Sequence, residues 1–337
     1  MPTSMNPPTV PAPSTPPSAA APAGPPPDRD LFAPLMAAAR RLPPLPAAVV
    51  HPCSEAALQA AHEAALDGLI VPILVGPAGR LRVLAASLGI DLSAYRVVDM
   101  PHSHAAAAAA VALVRAGEAE LLMKGSLHTD ELLAAVVDRE LGLRTERRLS
   151  HVFLMDVPAY PKLLMITDGA INIVPDLETK RDICQNAIDL ARAIGLSRPK
   201  VAILAAVETV NPKMPSTIDA AALCKMADRD QITGGVLDGP LAMDNAISVE
   251  AARVKGIRSE VAGDPDILLM PDLEAGNILA KQLTFMAGAD AAGVVIGARV
   301  PIVLTSRADT VRARLASCAV AVLLAEARRT AAARAIA

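Results

Sequence analysis

At 337 residues the chain is longer than one ordinary core organises, so two domains are expected. Hydrophobic residues make up 53% and charged residues 20%, which supplies apolar material for a large core. A formal charge of −3, with no Trp, two Tyr and three Phe, offers neither a basic footprint nor stacking surfaces and excludes nucleic-acid binding.

Eleven of the 29 prolines fall in residues 1–28, mixed with Ala, Ser and Thr. Large apolar side chains that would offset ordering entropy are lacking, so residues 1–30 are expected to be a disordered tail without a signal-peptide core. From Leu31 onward, short apolar runs alternate with stretches of helical period. Strand-like runs fall at 47–50, 70–75, 121–123, 201–207, 267–270, 294–296 and 302–304. Helical stretches fall at 54–66, 104–115, 129–141, 178–194, 217–227, 275–286 and 309–327. In the last, Val311, Leu315, Cys318, Val322 and Leu323 share one face. Alternation of this kind means βαβ units and an α/β fold with largely parallel sheets.

One passage breaks the rhythm. Runs at 152–156 and 163–168 are joined by a connector holding Pro158 and Pro161, the signature of an antiparallel hairpin. The domain crossings are placed beside it: residues 31–149 plus 300–337 form a first α/β domain, and 150–299 a second. The alanine-rich stretch at 105–114 is far too short to span a membrane. Cys53, Cys184, Cys224 and Cys318 are scattered without a C-x-x-C pair, so buried thiols in a reducing, cytoplasmic compartment are expected.

Four constellations carry chemistry. Lys124-Gly125-Ser126-Leu127-His128-Thr129-Asp130 follows a strand; Gly125 allows a tight turn and close approach of a ligand, Thr129 has the character of an N-cap, and Lys124 can reach a phosphate. The spacing is not that of a Walker loop, and a cap beside a solvated lysine is the plainer account. Asp168-Gly169-Ala170-Ile171-Asn172 reads as a turn at a strand end, as does Asp238-Gly239-Pro240-Leu241 with Asp244. Without a His or Cys cluster nearby, these acids give little support to a metal site. Asn277 and Lys281 lie four apart on one helix face, either a solvated edge or part of a cleft. Thr305-Ser306-Arg307-Ala308-Asp309 stands where an apolar strand gives way to a helix. There a hydroxyl and a guanidinium meet a helix N-terminus suited to an oxyanion. Ser306 and Asp309 are equally spaced like a capping box. G-x-S-x-G and G-x-G-x-x-G are absent, which lowers serine-hydrolase and Rossmann readings.

Taken in order, these motifs resemble the phosphate acetyltransferases and phosphate butyryltransferases over roughly residues 121–324. The resemblance implies reversible transfer of a short acyl group between coenzyme A and orthophosphate, giving an acyl phosphate. It also implies two α/β domains with a cleft between them, in the isocitrate/isopropylmalate dehydrogenase-like fold, and a homodimer. No metal or tightly bound cofactor is implied; coenzyme A is a substrate. Arg307 would hold phosphate and Ser306 would hydrogen-bond the reacting centre. Lys124, Gly125, Thr129, Asp168, Asn172, Asn277 and Lys281 would line the substrate site. The family's acid seven positions beyond the serine is replaced here by Ala313, leaving Asp309 as the nearest substitute. Val303 and Leu304 replace an asparagine-aspartate pair, and an arginine expected after the first turn is missing among Leu132, Leu133 and Ala134. These departures lean towards the butyryltransferase-like branch. Two alternatives stand beside this reading: a metal- and NAD-dependent decarboxylating dehydrogenase of the same fold, and a non-catalytic coenzyme A or acyl phosphate binder.

Overall fold

The computed structural model describes residues 29–304 and 310–336. Residues 1–28 of the expected tail lie outside that range, as do Ser306, Arg307 and Asp309. In chain order the first elements are α1 (Ala33–Ala39), β1 (Leu45–Val50), α2 (Glu55–Leu66), β2 (Ile70–Gly76), α3 (Ala78–Leu88), β3 (Arg96–Asp99), α4 (Ser103–Arg115), β4 (Leu121–Lys124) and α5 (Thr129–Val136). A hairpin of β5 (Ser150–Asp156) and β6 (Leu164–Thr167) follows. Then come α6 (Leu177–Ala193), β7 (Lys200–Leu204), α7 (Pro215–Ala227), β8 (Val236–Leu241), α8 (Met243–Ile247), α9 (Val249–Val254), β9 (Ile267–Leu269), α10 (Leu273–Met286), β10 (Asp290–Ile296), β11 (Ile302–Val303) and α11 (Val311–Ile336).

The strands form one mixed sheet of eleven, ordered β3-β2-β1-β4-β11-β10-β5-β6-β9-β7-β8. The first five in that order pair in parallel. So do β6, β9, β7 and β8 at the other end. Between the two blocks, β10 runs antiparallel to both β11 and β5. Central strands such as β1 are buried along nearly their whole length, as expected where helices cover both faces. This is the α/β fold that the alternation predicts, and the hairpin stands where the two prolines placed it.

Several boundaries differ from the periodicity. The helix expected over 129–141 stops at Val136, because the Asp138 carboxylate accepts bonds from Glu140 N (2.9 Å) and Leu141 N (2.7 Å) and turns the chain. The 201–207 run pairs only as far as Leu204. The apolar face assigned to the last helix is also revised: from Ala316 to Ala325 nearly every residue is shielded, whereas Val311 is exposed. This helix packs against α1, α2 and β10, so it crosses the middle of the molecule. No helix among the described residues is long and apolar enough to cross a membrane. Cys53, Cys184 and Cys318 are buried free thiols, and Cys224 is half-buried and free.

Candidate active site

Parallel pairing of β1 with β4 sets Val50 beside Lys124, so the turns that follow both strands meet. Gly125 N donates to Val50 O at 2.9 Å, Ser126 N to His51 O at 3.0 Å, and Ser126 Oγ to His51 O at 2.9 Å. A Cβ at position 125 would stand 2.4 Å from Val50 O, so glycine is required. The close approach that Gly125 permits is therefore made by the chain's own β1 end. His128, not Thr129, occupies the N-cap position of α5, and Thr129 is its first residue.

On the central strands, the two-residue alternation sends His151 and Phe153 to one face of the sheet. Phe153 stands opposite Gly293 in the β5–β10 register. A Cβ on Gly293 would fall 2.8 Å from His151 Nε2, so glycine makes room for the ring. His151 packs edge-on against Phe153 with centroids 4.3 Å apart. Gly293 N donates to Ser317 Oγ at 3.0 Å, and Ser317 Oγ donates to Ala313 O at 2.8 Å, fastening the start of α11 to this row.

These parts enclose a cavity of about 510 Å³. Its wall is built from Ser54, Ala56 and Ala57, residues 124–129, His151 and Phe153, Ala170, residues 291–293, Leu304 and Arg314. Leu304 precedes, and Arg314 follows, the segment carrying Ser306, Arg307 and Asp309. Lys124 and Arg314 are the lysine and arginine of the described lining; Lys124 Nζ lies 3.4 Å from Gly125 O, and Arg314 Nη1 donates to Ala56 O at 3.2 Å. Burial lowers the His151 pKa to about 4, opposed by the negative charge of Asp168. Burial likewise raises the Cys53 thiol, against the pull of Arg80.

The Asp168 turn stands behind Ala170. Its buried carboxylate accepts from Ala170 N (2.9 Å) and Ile171 N (3.1 Å) through Oδ1, and from Asn172 N (3.1 Å) and Nδ2 (2.6 Å) through Oδ2. Asn172 Nδ2 also donates to Leu149 O at 2.8 Å. The start of α10 closes on this turn, since a Cβ on Gly276 would fall 2.4 Å from Asp168 O. Of the substrate-site residues expected from sequence, Lys124, Gly125 and Thr129 line the cavity. Asp168, Asn172 and Asn277 organise the turn behind it, and Lys281 is exposed one helical turn beyond Asn277. Asp244 pairs with Lys255 at 3.1 Å, away from the lining. Sequence reasoning passed over His151; the signal was an imidazole at the head of an otherwise apolar strand. Among the described residues, no group of three or more His, Cys, Asp or Glu is placed to hold a metal.

A family model described as phosphate acetyl/butaryl transferase matches residues 103–322. The chain belongs to the phosphate acetyl/butyryl transferase family. It is 67% identical to a phosphate acetyltransferase of Rhizobium meliloti over 297 residues, covering 88% of this chain and 94% of that protein. It is 45% identical to a phosphate butyryltransferase of Clostridium acetobutylicum over 271 residues, covering 80% and 90% respectively. The fold is similar to the crystal structure of a branched-chain phosphotransacylase from Enterococcus faecalis V583, with TM-score 0.74, 32% identity and coverage of 83% and 99%. The family assignment favours acyl transfer over the dehydrogenase and binding-protein alternatives.

Proposed function

We propose that this enzyme transfers a short acyl group reversibly between coenzyme A and orthophosphate. The observation that carries the reading is the coincidence of the family match with one cavity, walled by the Lys124 turn and by the residues on either side of Ser306 and Arg307. In the acyl phosphate-forming direction a phosphate oxygen attacks the thioester carbonyl, and the thiolate leaves. Arg307 holds the phosphate through paired charge-assisted bonds, with Lys124 adding positive charge. Ser306 hydrogen-bonds the reacting centre, where fixed donors stabilise the developing oxyanion. The start of α11 is capped by Thr310, whose Oγ1 accepts from Ala313 N at 3.1 Å, rather than by the expected Ser306–Asp309 capping box; in this reading Asp309 adds a carboxylate near the reacting centre. Confining both substrates in one cavity supplies a large part of the rate.

The division into domains 31–149 plus 300–337 and 150–299, with the cavity as the cleft between them, is part of this reading, as is the dehydrogenase-like description of the fold. It is supported by the two parallel blocks on either side of β10 and β5. A homodimer in the cytoplasm completes it, and light scattering tests the dimer. For chain length, the 67% identical relative carries the acetyl name and the 45% identical one the butyryl name. The test is thiol release from acetyl- and butyryl-coenzyme A, with and without phosphate. Equal release in the absence of phosphate would make the enzyme a thioesterase and overturn the proposal.

A further inference from the structure

His151 is only 3% exposed, yet its Nδ1 has no hydrogen-bond partner among the described residues. Buried polar atoms in folded proteins are nearly always paired, and an exception next to a cavity calls for a ligand or a catalytic role. The ring borders the same cavity as Lys124 and Arg314. Its placement is firmly built. Thr167 Oγ donates to His151 O at 2.9 Å, Phe153 packs on the ring, and position 293 lacks the Cβ that would strike Nε2. Among the described residues lining the cavity, two carry an imidazole, His128 and His151. His128 is exposed on the rim, whereas His151 lies within the wall.

We propose that His151 is a further catalytic residue, relaying the proton between phosphate and the sulfur of coenzyme A. The inference rests on the acyl-transfer reading above. As a phosphate oxygen forms its bond to the thioester carbon, its P–OH proton passes to an imidazole nitrogen. The tetrahedral intermediate then collapses, the carbon–sulfur bond breaks with its electron pair on sulfur, and the imidazolium protonates the departing thiolate. Acyl phosphate and free thiol result, with no net gain or loss of protons. In reverse, the ring takes the thiol proton and returns it to phosphate.

Electrostatics support the assignment. Burial keeps the imidazole neutral and able to accept a proton. The Asp168 carboxylate opposes this effect of burial. A phosphate dianion bound beside the ring would add negative charge and move its proton affinity back towards the working range of a general base.

The experiment uses the full chain with acetyl-coenzyme A and phosphate, comparing wild type, His151→Gln and His151→Ala. General acid–base groups contribute roughly a hundredfold or more. The expected result is a kcat lowered by about a hundredfold in both variants, KM values for both substrates within about threefold, and partial recovery of His151→Ala, but not His151→Gln, on adding imidazole. A folded His151→Ala without imidazole rescue would overturn the proposal. If His151→Ala does not fold, His151→Gln decides: loss confined to kcat supports the relay, whereas kcat within about threefold of wild type, or a loss shared with KM, overturns it. Wild-type release without phosphate dependence would instead remove the acyl-transfer reading itself.

Discussion

Asn277 Nδ2 donates to Gly169 O at 2.9 Å, joining the first turn of α10 to the turn after β6. Gly276, its neighbour, lies so close to this turn that a Cβ would stand 3.2 Å from Gly169 Cα as well as 2.4 Å from Asp168 O. Two distant motifs are thus one packed joint, and its output is the position of Ala170 in the cavity wall. Gly276→Ala forces backbone apart and is expected to cost roughly 2–3 kcal/mol. Asn277→Ala removes one hydrogen bond and is expected to cost about 1 kcal/mol. Urea denaturation of both variants checks the order.

Position 125 makes a matching prediction at the other side of the cavity. Alanine there would collide with the carbonyls of Val50 and His51, which are backbone and cannot rotate away. Gly125→Ala is expected to lose roughly 1–3 kcal/mol of stability and to raise the KM for phosphate, because Lys124 moves with the turn. A melting curve and steady-state kinetics test the two halves separately.

The strands and helices that lie in the interior were legible in the sequence because burial leaves continuous apolar runs, as at β1, β2 and β9. Elements at the margin were not. β3 is an edge strand whose Arg96 and Asp99 face solvent, and β8 carries Gly239 and Pro240, which read as a turn. α3 contains Gly79 and two arginines, and it declares itself only through its packing. At the site, motif order brought Lys124, Gly125 and Thr129 to the cavity, but local sequence could not separate a ligand's approach from the chain's own. Asp168, Asn172 and Asn277 are spent on backbone partners far away in sequence, such as Leu149 and Gly169. His151 escaped notice because its meaning depends on Gly293, in another strand.

The depressed pKa of His151 has a consequence for stability. In the unfolded chain the imidazole titrates near 6.5, whereas burial holds it at about 4 in the fold. Between those values the unfolded state binds more protons, so this residue's contribution is present above pH 6.5 and is lost as pH falls towards 4. The loss attributable to it is on the order of 2–3 kcal/mol. Denaturation at pH 7 and pH 4.5 should show a smaller acid destabilisation in His151→Gln than in wild type.

Arg307 is expected to be the residue whose loss most harms phosphate use. Losing a charge-assisted hydrogen bond costs roughly 1.5–3 kcal/mol, or about ten- to a hundredfold. Arg307→Ala should raise the KM for phosphate and lower kcat, while the KM for acyl-coenzyme A changes less. Arg307→Lys should fall between, since it keeps the charge but not the planar fork. Kinetics with varied phosphate on folded variants decide it, and unaltered phosphate dependence in Arg307→Ala would remove the residue from the site.

The central claim is that one cavity exchanges coenzyme A for phosphate on an acyl group. Its most direct test is stoichiometric: acetyl-coenzyme A and phosphate are mixed with the enzyme, free thiol is titrated, and acyl phosphate is trapped as the hydroxamate. The account predicts that the two products rise together, mole for mole, and that added acetyl phosphate and coenzyme A drive the reaction backwards. Thiol release with no acyl phosphate, or at the same rate without phosphate, would contradict it.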